Sequence, residues 1–115
     1  MATKLVEVIK RFLAECPYII SCQDRLTKTR LELENGYFLD LFYNETLGKY
    51  SYTLIKQNQR VVGWDNAPHH SLLSNFPHHF HAMDGTTQPS NLTGDPIQDI
   101  GTVIHAVNAM FKDRS

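Results

Sequence analysis

The sequence predicts an α+β fold, in which a single antiparallel β-meander of about five strands lies between an N-terminal and a C-terminal helix. Three observations indicate this arrangement. Apolar residues recur at helical spacing near both ends, segments of alternating polar and apolar residues fill the middle, and dipeptides typical of tight turns separate those segments. The chain has 115 residues, 42% of them hydrophobic, which suffices for one domain with its own core.

The two terminal segments are expected to be helices. The first runs from Thr3 to Glu15, because its apolar residues share one face and Pro17 prevents its continuation. The second begins at Pro96, with Asp95 as its N-cap, and continues to the end of the chain. Both apolar faces should pack on the same side of the sheet. The other side then stays open for a substrate or for a second copy of the chain, so a homodimer is one expected assembly.

Five strands are expected in the middle of the chain, in up-and-down order. They cover residues 18–23, 28–34, 37–43, 50–57 and 60–64. Asn35 and Gly36 should form a type I′ turn, in which both residues need a positive φ. Asn58 and Gln59 should turn the fourth strand into the fifth.

One acidic residue interrupts the apolar pattern of the third strand. Asp40 shares a predicted face with Phe38 and Phe42. A carboxylate in such a position has a buried partner, lies at a bulge, or indicates an error in the assumed register.

Composition argues against several classes of protein. No apolar run approaches the roughly 20 residues that span a bilayer, so we expect a soluble, cytoplasmic protein with no membrane partner. The net charge of −1 gives no support for coating nucleic acid through bulk positive charge. Cys16 and Cys22 lack the spacing of a metal-ligand pair and are expected to be reduced thiols.

A long segment without helical or strand periodicity follows the predicted sheet, at residues 65–94. We expect this loop to be ordered and to lie across the sheet, because it contains prolines and several apolar residues that can anchor it. The expected anchors are Trp64, Leu72, Leu73, Phe76, Phe80 and Met83.

The loop holds five of the six histidines within thirteen residues: His69, His70, His78, His79 and His81. An imidazole, with an ordinary pKa of about 6.5, can accept or donate a proton near neutral pH, so two of them could cleave a phosphodiester at a ribose 2′-hydroxyl without a metal. Imidazole is also a common metal ligand, and His79 and His81 would point the same way in an extended segment. A third interpretation is structural, with the rings bonded to backbone carbonyls. His105, on the second helix, is expected to be solvated.

We favour metal-free chemistry and expect no cofactor, because adjacent histidines in an extended chain point to opposite sides and few rings can converge. Asp65 could orient a histidine in an acid–base relay or form an Asx-turn to Ala67. Arg60 could hold a phosphate or be a solvated strand-end residue. Tyr52 could stack on a base or fill the core.

The histidine segment is also recognisable as a motif. Four parts of the chain resemble the TumE-type toxins of bacterial toxin–antitoxin systems. They are Tyr-Ser-Tyr at 50–52, Arg60, Asp-Asn-Ala-Pro-His-His at 65–70 and Phe-Pro-His-His-Phe-His at 76–81. The resemblance implies a toxin with a cognate antitoxin as partner, and an endoribonuclease with RNA as its substrate. Together with the chemistry of these side chains, it leads us to expect catalysis by His69, His70, His78, His79, His81 and Asp65, and substrate binding by Arg60, Tyr52 and Asn66. The alternative is a non-catalytic protein whose histidine-rich loop binds a metal, nucleic acid or a partner protein.

Overall fold

The computed structural model describes residues 3–113, which form two helices and an antiparallel sheet. The helices are α1, Thr3–Glu15, and α2, Pro96–Lys112. The strands are β1 Ile19–Asp24, β2 Thr29–Leu33, β3 Tyr37–Asn44, β4 Lys49–Lys56, β5 Gln59–Asp65, β6 His79–His81 and β7 Thr87–Pro89. Each strand pairs antiparallel with the next in chain order, which confirms the predicted α+β meander.

Both helices begin and pack as their sequences predict. The Asp95 carboxylate accepts the backbone N–H of Ile97 at 3.1 Å and so caps α2. Near the other end of α2, the Asn108 side-chain amide donates to the Glu15 carbonyl at 2.9 Å, which ties the two helices together. The buried residues of the helices, including Val8, Phe12, Ile100, Val103 and Val107, form one core with the sheet. Leu13 is one of the apolar residues whose spacing predicted α1, but it is exposed.

Two details of the sheet differ from the prediction. It has seven strands instead of five, because β6 and β7 form within the segment that was expected to lack strands. The turn between β4 and β5 lies one residue earlier than expected, at Gln57 and Asn58, whose φ values are 53° and 61°. The turn at Asn35 and Gly36 has the positive φ values, 63° and 81°, that a type I′ turn requires.

Asp40 has charged partners on β2 and beside it, which is the first of the three alternatives that its position allowed, although these partners are only partly buried. The Arg30 guanidinium on β2 binds both carboxylate oxygens of Asp40, at 2.8 and 2.9 Å, and the Lys28 ammonium lies 2.9 Å from one of them. Burial raises the pKa of Asp40, but the hydrogen bonds from Arg30 and Lys28 outweigh it and the net effect is a lowered pKa.

The register gives the sheet two distinct faces. Leu39, Leu54 and Val62 are aligned across β3, β4 and β5 and belong to the core beneath the helices. On the opposite face, here called the open face, two cross-strand rows of residues are aligned. One row is Asp40, Thr53, Gly63 and His81, and the other is Phe42, Ser51, Asp65 and His79.

The loop between β5 and β6 folds back over the open face, because the His70 ring packs against the rings of His79 and His81. Three of the predicted anchors, Leu72, Phe76 and Met83, are exposed, whereas Trp64 and Phe80 anchor the loop as predicted. The anchoring comes from a contact of Trp64 with Phe80, whose ring centroids are 5.0 Å apart, and from polar bonds. Among these, the Asn75 amide donates to the carbonyls of Ser90 and Leu92 at 2.6 and 3.1 Å.

Candidate functional site

Strand pairing brings three predicted site residues together on the open face. Asp65, the last residue of β5, lies directly opposite His79, the first residue of β6. His81 follows two positions later, so its side chain points to the same side as that of His79. The Nε2 atom of His79 lies 2.9 Å from Asp65 Oδ1, and the Nε2 atom of His81 lies 3.1 Å from Asp65 Oδ2. The two Nε2 atoms are 3.1 Å apart.

Backbone groups orient two members of this group. The Nδ1 atom of His79 lies 3.0 Å from the Pro77 carbonyl oxygen, which can only accept, so Nδ1 carries a hydrogen. The Asp65 Oδ1 atom accepts the backbone N–H of Ala67 at 2.9 Å. Asp65 therefore adopts both of the arrangements that its sequence left open, an Asx-turn and a contact with histidine.

A fourth residue completes the group. The His70 ring lies edge-on to the rings of His79 and His81, with centroid distances of 4.8 and 6.3 Å. We call Asp65, His70, His79 and His81 the Asp–His cluster. His79 is only 2% exposed, whereas Asp65 and His81 are partly exposed. The cluster thus has a closed side under the loop and an open side facing solvent.

Charge near the cluster comes from Arg60. A Cβ atom on Gly63 would meet the Arg60 side chain at 3.2 Å, so the stem of Arg60 crosses the open face beside His81, where Gly63 leaves room for it. Burial lowers the pKa of His81, and the positive charge of Arg60 lowers it further, while the Asp65 carboxylate acts in the opposite direction.

Two histidines of the predicted catalytic set lie outside the cluster. The Nδ1 atom of His78 is 2.9 Å from the hydroxyl of Tyr50, and the two rings are stacked. Burial raises the pKa of Tyr50, so its hydroxyl keeps its proton and donates it to His78. His69 is exposed on the loop. His105 is exposed on α2, as expected.

The three predicted substrate-binding residues have different surroundings. Arg60 is exposed and is available to a ligand. Asn66 uses its side-chain amide within the fold, accepting the Tyr50 N–H at 3.1 Å and donating to the Gly48 carbonyl at 2.8 Å. Tyr52 is fully buried in the core, where it stacks on Tyr50, so it presents no ring face to a base.

A groove of about 430 Å³ adjoins the cluster at Asp65. Its lining includes Phe42, Lys49, Ser51 and His69. Sequence reasoning did not select the first three, although Phe42 and Ser51 lie in the same cross-strand row as Asp65. The signal that would have found them is the register of β3, β4 and β5, because residues aligned across strands share a face.

Comparisons with known proteins identify the family. A sequence model described as Toxin TumE matches residues 7–111, which is nearly the whole chain. No curated protein and no solved structure matches the chain. Within residues 3–113, no helix is long and apolar enough to cross a membrane. The chain therefore belongs to the Toxin TumE family, and it is the toxin of a toxin–antitoxin system, with an antitoxin as its partner.

Proposed function

We propose that this toxin acts in the cytoplasm as a histidine-dependent endoribonuclease and that the Asp–His cluster is its reaction centre. The observation that carries the proposal is the convergence of Asp65, His79 and His81, with contacts of 2.9 to 3.1 Å, beside a groove of about 430 Å³. A concave, solvent-open point with several convergent titratable groups is the usual form of a reaction centre. Lys49 in the groove and Arg60 beside His81 supply positive charge for a phosphodiester backbone.

Cleavage of RNA at a ribose 2′-hydroxyl requires two proton transfers. The 2′-oxygen attacks phosphorus as its proton leaves to a base, and the bond to the 5′-oxygen breaks as an acid protonates that oxygen. His70 and His81 are the partly exposed imidazoles of the cluster. We assign the proton transfers to this exposed side and assign to buried His79 the role of holding its neighbours in place.

Growth arrest gives the first test. Expression of the chain in a bacterium without the antitoxin should arrest growth, and His70→Ala and His81→Ala should each relieve the arrest. His105→Ala is the matched control, because His105 is exposed on α2 and should leave toxicity intact. General acid–base groups contribute about 10²- to 10⁴-fold in rate, which is enough to separate a toxic from a tolerated protein.

RNA cleavage by the purified chain gives the second test. We expect a 5′-hydroxyl and a cyclic phosphate at the new ends, and at least about 100-fold slower cleavage by the His81→Ala protein. Circular dichroism should show that the variant is folded. If both cluster variants remain as toxic as the parent and cleave RNA equally well, the histidine loop serves binding instead of catalysis.

A further inference from the structure

We propose that Asp65, His79 and His81 bind a divalent transition-metal ion through one carboxylate and two imidazole Nε2 atoms. One ligand atom from each of the three residues lies within 4.8 Å of those of the other two. The set combines nitrogen and oxygen ligands, which suits zinc, iron(II) and manganese better than magnesium or calcium. The sequence led us to expect no metal, because adjacent histidines of an extended chain point to opposite sides. The pairing of β5 with β6 changes this, because it places Asp65 beside His79 and His81.

The hydrogen bond of His79 to the backbone leaves its other ring nitrogen free to bind a metal. His79 donates its Nδ1 hydrogen to the Pro77 carbonyl, so the Nε2 atom of an uncharged His79 carries a lone pair. That lone pair faces a carboxylate oxygen of Asp65 at 2.9 Å and the Nε2 atom of His81 at 3.1 Å. A single hydrogen on His81 Nε2 can serve only one of the close contacts in this triangle. A metal ion accepts a lone pair from each of the three atoms and so satisfies all three contacts at once.

The spacing of the three atoms fits such an ion. Ligand atoms about 2.0–2.1 Å from a metal are about 3.0 Å apart at a right angle and about 3.4 Å apart at the tetrahedral angle. The measured separations are 2.9 Å between His79 Nε2 and Asp65 Oδ1, and 3.1 Å for the other two pairs. They require an adjustment of only a few tenths of an ångström to surround one ion.

The surroundings of the ligands also resemble those of metal sites. A histidine that binds a metal commonly donates its other ring N–H to a carbonyl or carboxylate, as His79 does to Pro77. The backbone N–H of Ala67 holds the Asp65 carboxylate in the same way. His81 and Asp65 are 16% and 20% exposed, so a water molecule or a substrate oxygen can reach the ion from the solvent side. Sites of catalytic type keep such a position open.

The proposal does not depend on RNA cleavage, although it would deepen that function. A bound ion would occupy the Nε2 atoms of His79 and His81, so His70 would keep its proton transfer and a water molecule on the ion would take the transfer assigned to His81 in the metal-free protein. Metal binding is therefore measured on the protein alone. Loss of RNA cleavage with intact metal binding would refute the proposed function only, and cleavage without metal binding would refute the metal site only.

The experiment uses the full chain without a histidine tag, stripped with chelator and titrated with zinc chloride by calorimetry. We expect one zinc ion per chain, and a loss of affinity of at least about 100-fold in His81→Ala and in Asp65→Asn. His105→Ala should bind zinc as the parent does. His81 and Asp65 are preferred to buried His79 because their replacement is less disruptive, and circular dichroism checks that both variants fold.

Cobalt(II) provides a second measurement on the same proteins. Its visible absorption should show a bound ion with nitrogen and oxygen ligands in the parent and in His105→Ala, and should be absent from His81→Ala. The proposal is overturned if the stripped parent binds neither ion, or if both cluster variants bind zinc as tightly as the parent does.

Discussion

Replacement of Asp40 by asparagine should destabilise the sheet without touching the Asp–His cluster. Asp40 is 5% exposed and accepts two bonds from Arg30, at 2.8 and 2.9 Å, and one contact from Lys28, at 2.9 Å. Asparagine has the same shape but only one acceptor oxygen. Its amide group would face the donors of Arg30 or Lys28, so at least one charged donor would lose its partner.

The size of the effect follows from the surroundings. Charge-assisted hydrogen bonds contribute about 1.5–3 kcal/mol each, and part of this offsets the cost of burying the carboxylate. Lys28 is 38% exposed, so solvent screens its share and Arg30 provides most of the effect. We expect a loss of about 2 kcal/mol in the free energy of unfolding at pH 7, or a Tm about 8 °C lower for a domain of this size.

The effect should depend on pH. The pKa of Asp40 is lowered below its ordinary value of 3.8, so the folded state favours the carboxylate. Its stabilisation is present above about pH 4 and is lost as the pH falls through the lowered pKa. Urea unfolding of the parent and of Asp40→Asn should therefore differ at pH 7 and converge at low pH. Asp24→Asn, at an exposed strand end, is the control and should change stability by less than about 0.5 kcal/mol. Equal stability of the parent and Asp40→Asn at pH 7 would refute this reasoning.

Three further substitutions test other contacts by urea unfolding or NMR. Asp99→Ala should lower the free energy of unfolding by about 2 kcal/mol or more, because the buried Asp99 carboxylate accepts two backbone N–H groups before α2, at 2.8 to 3.0 Å. An unchanged urea midpoint would contradict this. Tyr50→Phe should lower the free energy of unfolding by about 1 kcal/mol and shift the NMR signals of the His78 imidazole nitrogens. Unchanged signals would argue against the hydrogen bond between Tyr50 and His78. Gly63→Ala should lower the free energy of unfolding by about 1 kcal/mol, because the new Cβ would lie 3.2 Å from a side-chain carbon of Arg60 and 3.4 Å from the Tyr52 carbonyl oxygen. A more stable variant would show that the Arg60 side chain moves freely.

The parts of the fold that were predicted correctly have strong local signals. Helix α1 was predicted to run from Thr3 to Glu15, as observed, because its apolar spacing and the following proline act within a few residues of each other. The start of α2 at Pro96 depends on the adjacent cap at Asp95 in the same way. Strands β6 and β7 were missed because each has only three residues, too few for alternation to be recognised.

The site was predictable in its residue types but not in its grouping. Sequence spacing correctly placed His79 and His81 on one side of an extended segment. It could not show that Asp65 joins them, because the pairing of β5 with β6 spans a loop without periodicity. The contact of His78 with Tyr50 was missed for the same reason, since the two residues are 28 positions apart.

Alternation along β6 explains why the histidines of residues 78–81 have two different roles. His79 and His81 face the open side, while Phe80 faces the helices and packs on Trp64. His78, just before the strand, bonds to Tyr50 of the core. His78 and Phe80 therefore hold the strand in place, whereas His79 and His81 belong to the Asp–His cluster. A shift of one residue in the pairing of β5 with β6 would exchange these roles, placing an apolar ring on the open face and imidazoles in the core. The packing of Phe80 on Trp64 thus helps to determine the register on which the cluster depends.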